Sequence, residues 1–475
     1  MLFNSWQFLL FFPLVTAIYF ALPHRARWGW LLAASCWFYM AFVPAYILIL
    51  AFTIAVDYAA GIAIGGAQGR RRRIYLYASL AANLGVLACF KYFNFANANL
   101  AALAGRLHWN YPVAALGILL PIGLSFHVFQ SLSYTIEVYR GNQAPERHLG
   151  IFALYVMFYP QLVAGPIERP QNLLYQFREP HAFDAERVGA GLKRMLWGLV
   201  KKVVIADRLA MVVNAVYAQP TQYHGLPLLL ATVFFTFQIY CDFSGYSDIA
   251  LGAAEVMGFR LMENFKQPYG ARSVAEFWTR WHVSLSTWFR DYLYIPLGGN
   301  RVPPWRWALN ILAVFMVSGL WHGANWTFVV WGGLHGGYLV VERACQSLWP
   351  VSVRLPAAVG TCITFALVAF AWIFFRAPSL EAAWYIAGHL LQGLPHQLAG
   401  PHAVAEALRG LIQRNIVLGV LGIGLLLAVE RGRPWGGGFG FARVRALEWG
   451  TCYGLILALI VYGVYENQSF IYFQF

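Results

Sequence analysis

The sequence predicts an all-α protein that crosses a membrane many times, and three observations carry that prediction. Apolar residues make up 60% of the chain and charged residues only 11%, against roughly 45–50% and about 25% in soluble domains. The apolar residues gather in runs near the ~20 residues that a transmembrane helix requires, so roughly ten to thirteen crossings fit within the chain. The basic residues sit in short connections between those runs, where the positive-inside rule places cytoplasmic loops.

The same pattern explains the net charge of +14 without invoking nucleic acid. No stretch combines a basic face with the exposed aromatics that nucleic-acid binders use. The six cysteines (36, 89, 241, 345, 362 and 452) lie singly in apolar runs with no CxxC pair, so they read as small apolar core residues, not as a disulfide framework or thiolate metal site.

Taken in order, residues 3 to 22 form an apolar segment followed by His24, Arg25 and Arg27. Its positive charge follows the apolar run, which is the wrong order for a signal peptide and predicts a retained first span. Further spans are expected at about 28–43, 45–66, 74–92 and 112–136, with the FNFANANL stretch as a polar loop. Arg25, Arg27 and Arg70 to Arg73 then fall on the cytoplasmic side, with the N-terminus outside. Asp57 and Glu137, near the ends of their runs, read as solvated at the interface.

Residues 165–207 are richer in charge and proline. They predict a cytoplasmic segment that starts along a fixed non-helical path and continues as an amphipathic surface helix. Lys193, Arg194, Lys201 and Lys202 suit lipid head groups, or the phosphates of a nucleotide-bearing donor. In the run 226–256, Asp242 and Asp248 flank Gly245, which predicts a kinked or re-entrant segment. Those carboxylates either line a cavity or pair with arginines of the central stretch, the pairing being favoured because buried charges need partners. Residues 380–413 read as an extramembrane loop with short helices, and the chain closes on a Gly- and Arg-rich connector, a last span and the aromatic NQSFIYFQF. The whole reads as one transmembrane domain over residues 1–475.

The stretch from Asn264 to Trp326 organises the rest. Ser273 and Glu276 form a capping-box start, and the helix they open is expected to run to Pro296, with exit at Gly298-Gly299. On it Trp278, His282, Leu285 and Phe289 share the inward face, while Arg280, Arg290 and Asp291 lie off that stripe. His322 follows an uncharged run and is flanked by Gly319 and Gly323, which permit close backbone approach. An ionisable residue at that depth is costly and points to a polar cavity and a function, the alternative being a histidine hydrogen-bonded within the bundle. His335, between pairs of glycines, is a weaker third candidate.

No GxSxG elbow, HExxH or Walker loop occurs, which removes serine-hydrolase, zincin and P-loop chemistry. The histidines lack the carboxylate or thiolate companions that zinc sites use, so no metal is expected. A neutral imidazole, with a solution pKa near 6.5, suits removal of a proton from a hydroxyl. With an activated thioester as the other substrate, no enzyme nucleophile is required. Trp321 and Asn325 are candidate donors to the oxyanion, and Asp291 joins them as a substrate-binding candidate.

WTRWHVSLSTWFRDYLYIPLGGNR and SGLWHGANWTFVVWGGLHG resemble the two signature regions of the membrane-bound O-acyltransferase family. GLSFHVFQSLSYTIEVYRG, PQLVAGPIERP, CDFSGYSDIALG and the terminal FIYFQF support the match, which is most similar to the bacterial branch that acetylates alginate. The resemblance implies His322 as the catalytic histidine and His282 as the second signature position. It implies a ring of about 11–13 tilted helices, some re-entrant, around a central tunnel in a bacterial inner membrane. It also implies acetyl-CoA as the donor, an exported polysaccharide as the final acceptor, and a periplasmic partner protein. D-alanyl transfer to teichoic-acid-type polymers is the alternative within the family. A proton-coupled transporter and a scaffold that recruits an enzyme through its aromatic tail are alternatives outside it.

Overall fold

A computed structural model describes residues 1–117, 121–163, 165–348, 356–431, 445–465 and 470–471. Every regular element among them is helical, as expected. Five helical stretches are long and apolar enough to cross a membrane: Pro44–Gly66, Arg70–Arg106, Leu226–Met257, Ala357–Arg376 and Gln413–Arg431. Two shorter apolar helices, Trp6–Ala21 and Ala446–Tyr462, accompany them. The described residues fall into two compact units, Met1–Met195 with Ser247–Met262, and Leu196–Tyr246 with Glu263–Phe475. The Gly- and Arg-rich connector at 432–444 and the terminal residues 472–475 lie outside the described residues.

In the first unit, helices Ile47–Gly66, Arg70–Leu87 and Leu124–Arg140 pack against one another. The polar FNFANANL stretch, expected as a loop, is helical within Phe93–Arg106, because its asparagines alternate with alanine, phenylalanine and leucine, and Asn99 hydrogen-bonds back to the Phe95 carbonyl. The expected span at 112–136 begins only at Leu124, since residues 111–117 are not helical. Asp57 and Glu137 are not solvated. Asp57 is buried and accepts from Ser79 Oγ at 2.6 Å and from Asn83 Nδ2 at 2.8 and 3.0 Å. Glu137 is buried and accepts from Asn142 and Gln171. Burial of a carboxylate is tolerated where protein donors replace its water, neutral ones for Asp57 and, for Glu137, Arg140 at 3.4 Å besides the amides.

The start of the 165–207 segment is non-helical, as expected, but it is buried instead of exposed. Glu168 is fully buried and accepts from the Met262 N–H, while the Tyr155 hydroxyl donates to the Glu168 carbonyl. Arg194 pairs with Asp248 at 3.0 Å.

In the second unit, Lys202 is buried between Asp207 (2.7 Å) and Asp242 (2.6 Å), and Lys201 donates to Ser244 Oγ. Arg194, Lys201 and Lys202 therefore have partners within the protein, which corrects their assignment to lipid head groups. Asp242 pairs with Lys202 and Asp248 with Arg194, cations that lie outside the central stretch. The run that carries them is an unbroken helix, Leu226–Met257. Gly245 is no hinge: a Cβ there would stand 2.7 Å from the Gly198 carbonyl oxygen, so glycine serves close packing. The backbone N–H of Ile471 donates to Asp242 Oδ2 at 2.8 Å, and Phe470 stacks on Tyr246. These two described residues of the aromatic terminus are thus docked within the chain. Residues 380–413 carry short helices, Leu380–His389, Leu394–Gln397 and Pro401–Ala407. The six cysteines form no disulfide among the described residues. Cys89, Cys345 and Cys362 are exposed, which corrects their reading as core residues; each lies on the outward face of its helix.

Candidate active site

The site is built by two local features of the second unit. The first is a break in the helix expected to run unbroken from Ser273. Ser273 caps it as read, accepting from the Glu276 N–H at 3.1 Å. The helix nevertheless ends at Arg280 and restarts as Val283–Phe289. His282 sits in the break with φ +44°, a left-handed conformation that costs energy for a residue with a Cβ. The inward stripe drawn through Trp278, His282 and Leu285 is therefore not one helical face, although His282 is fully buried.

Asn264 holds that turn in place. Its carbonyl accepts from the Val283 N–H at 2.9 Å, and its Oδ1 accepts from Ser284 Oγ at 2.7 Å and Ser284 N at 3.3 Å. The same Oδ1 lies 3.2 Å from His282 Nδ1. An oxygen that already accepts from Ser284 requires a donor there too, so Nδ1 carries the proton and Nε2 is the lone-pair nitrogen of the neutral ring. Phe243 packs edge-on at 4.7 Å. Neither Asn264 nor Ser284 stood out in the sequence, because nothing in a spacing of eighteen residues signals this contact.

The second feature is a tight pair of helices, Pro304–His322 and Trp326–Leu348. A Cβ on Gly319 would strike the Phe328 carbonyl, one on Gly332 the Phe315 carbonyl, and one on Gly323 the Phe328 ring. These small residues let the two backbones pack closely, as expected for Gly319 and Gly323. His322 ends the first helix, 4% exposed. Trp321, Trp331 and Phe375 pack edge-on around it, with ring centroids at 5.0, 5.1 and 5.4 Å.

These features bring His282 and His322 together, with ring centroids 6.4 Å apart. A direct nitrogen–nitrogen hydrogen bond needs about 3 Å, which this spacing does not allow, so the two rings are neighbours without bonding to each other. His335 is used differently: it is fully buried, and its Nδ1 accepts from Trp278 Nε1 at 3.3 Å.

Trp321 is buried and also lies 6.2 Å from the His282 ring. Asn325 caps the following helix through Oδ1, which accepts from the Thr327 N–H, so its amide NH2 is the group that can donate elsewhere. Asp291 lies in the π-helical turn Arg290–Tyr294 and pairs with Arg290 at 2.8 Å. A cavity of about 250 Å³ lies within this unit, lined by Trp278, Leu285, Phe289, Val314, Phe315 and Ser318 among others. Ser318 is one helical turn before His322, and Leu285 is three residues after His282.

The pattern that defines MBOAT, the membrane-bound O-acyltransferase family, matches residues 148–382, which include both histidines. A probable alginate O-acetylase of Azotobacter vinelandii is 42% identical over 389 residues, covering 81% of this chain and 77% of the relative. A peptidoglycan O-acetyltransferase of Helicobacter pylori is 34% identical over 81% of this chain and 78% of its own length. A teichoic acid D-alanyltransferase of Streptococcus thermophilus is 30% identical over 56% of this chain and 70% of its own. The protein is thus a multi-pass membrane enzyme that transfers acyl groups to oxygen, and the chain belongs to the membrane-bound O-acyltransferase family.

Proposed function

We propose that this enzyme acetylates hydroxyl groups of an exported polysaccharide, with acetyl-CoA on the cytoplasmic side of a bacterial inner membrane as the donor and His322 as the general base. The observation that carries the reading is the approach of two histidines from separate elements, forty residues apart in sequence, to 6.4 Å between ring centroids.

His322 removes the proton from an acceptor hydroxyl as its oxygen attacks the thioester carbonyl. The negative charge that develops on the carbonyl oxygen is met by N–H donors, for which the Asn325 amide and the Trp321 indole are the candidates. Collapse expels the thiolate, which takes up the proton held by the imidazole. The products are an ester and a free thiol, with no net proton released. His282, with Nε2 as its lone-pair nitrogen, orients the acceptor as a hydrogen-bond acceptor, and Asp291 contributes to substrate binding. The acceptor hydroxyl belongs to the polysaccharide itself or to a periplasmic partner protein that passes the acetyl group on. The cavity lined by Ser318 and Leu285, residues near the histidines in sequence though neither histidine lines it, is the proposed way in for a substrate.

Acetyl transfer is favoured over D-alanyl transfer because the O-acetylating relatives align over 81% of this chain and the D-alanyltransferase over 56%. The transporter and scaffold alternatives fall with the assignment of the chain to a family of transferases.

The test compares His322→Ala with the unaltered protein at equal membrane levels. Ester content of the exported polysaccharide and thiol release by purified protein supplied with acetyl-CoA and an acceptor should both fall about 10²–10⁴-fold. Unchanged ester content and unchanged thiol release would remove His322 from the chemistry.

A further inference from the structure

The first unit carries a charged feature that acyl transfer does not use. Gly69, with φ +56°, turns the chain into the helix that begins at Arg70. There Arg70, Arg72 and Arg73 open onto one cleft of about 860 Å³, completed by Ile74, Tyr77 and Tyr139. No carboxylate is among its lining residues.

Arg72 is fixed in the wall: its Nη2 donates to the carbonyls of Val138 (3.1 Å) and Tyr139 (2.9 Å), and its guanidinium lies over the Tyr139 ring. Its Nε is buried with no hydrogen-bond partner among the described residues. Arg70 and Arg73 are exposed. Three guanidinium groups on one concave surface repel each other and concentrate an anion, and their forked donors match phosphate oxygens.

What lies beside the cleft decides the class of ligand. Ile74 and Tyr77 follow Arg70 at i+4 and i+7, on the same helical face. They are 53% and 62% exposed and belong to Arg70–Arg106, a stretch long and apolar enough to cross a membrane. A phosphate seated among the arginines thus has an apolar helix face leading away from it. A soluble nucleotide has no use for that face, whereas lipid chains do.

We propose that this cleft is a binding site for an anionic phospholipid, with its phosphate held by Arg70, Arg72 and Arg73 and its acyl chains lying along Ile74 and Tyr77. Juxtamembrane arginines attract such head groups, and this cleft adds a shaped receptor to that attraction.

The test uses the full-length protein in phosphatidylcholine nanodiscs with trace fluorescent phosphatidylglycerol, read by energy transfer from the protein's tryptophans. Labelled phosphatidylglycerol should bind the unaltered protein and be displaced by unlabelled phosphatidylglycerol, but not by equal concentrations of pyrophosphate or adenosine 3′,5′-bisphosphate. The double variant Arg70→Gln/Arg73→Gln should bind about thirtyfold more weakly, with unchanged helical content and unchanged thiol release from acetyl-CoA in detergent. Equal binding by the double variant would overturn the proposal. So would displacement by pyrophosphate or adenosine 3′,5′-bisphosphate, since the cleft would then be a site for soluble phosphates.

Discussion

Asp57 in the first unit and His282 in the second are both fully buried, and each is held by an asparagine, but to opposite effect. Asn83 donates to both oxygens of Asp57, and Ser79 adds a third bond. The carboxylate's needs are met by neutral neighbours, the arrangement of a structural polar cluster. Asn264 instead accepts from one nitrogen of His282 and so defines the other as the lone-pair nitrogen. The ring of His322 then stands at a distance that excludes direct bonding. A buried polar group surrounded by donors stabilises a fold, while one whose tautomer is set by an asparagine and whose ring stands beside a second imidazole is suited to chemistry.

The contrast is open to test, and the largest effect should come from a charge cluster in the same unit as the histidines. Lys202→Met leaves Asp207 and Asp242 together without their shared cation. A loss of about 3–5 kcal/mol is expected, read as collapse of the folded fraction in thermal denaturation. A variant of wild-type stability would show that the cluster does not hold this unit together. Asp57→Ala should cost roughly 1–3 kcal/mol by stranding Asn83 and Ser79, while thiol release per folded molecule stays unchanged. A selective loss of turnover with normal melting would erase the distinction between the two clusters.

Asn264→Ala should lower kcat about three- to tenfold without altering KM for the donor, the loss expected when one hydrogen bond no longer positions the imidazole. Asn264→Asp keeps an acceptor at that position and should restore most of the rate. A merely structural asparagine would instead show reduced melting temperature and unaltered kcat.

The smallest effect concerns Glu168, whose pKa burial pushes up to about 7 from an ordinary 4.5. The folded state then binds more protons than the unfolded chain between those values, so stability should fall as pH rises from about 4.5 to about 7. Glu168→Gln should flatten that part of the melting-temperature profile. An unchanged slope in the variant would assign the pH dependence to other groups.

Several expectations failed for one reason. Asp57, Glu137, Lys201 and Lys202 were each read as reaching water or head groups, because a side chain near the end of an apolar run has that option in one dimension. Apart from Arg140, one turn from Glu137, the partners that bury these groups include Ser79, Gln171 and Ser244, 22, 34 and 43 positions away in sequence, and no periodicity records such pairings. The helix break at His282 was equally hidden, since Trp281-His282 carries neither glycine nor proline and the turn is held by hydrogen bonds that Asn264 accepts.

The sequence alone determined the class of this protein, because scarcity of charge and the length of its apolar runs leave only a membrane-spanning helical fold. It also singled out His282 and His322, since an ionisable group amid apolar residues is conspicuous in a string of letters. Only the tertiary structure decided that the two imidazoles meet, that Asn264 chooses the basic nitrogen, and that three arginines line a cleft. Each of those facts is a distance between residues that the chain brings together only when packing and hydrogen bonding close its long loops.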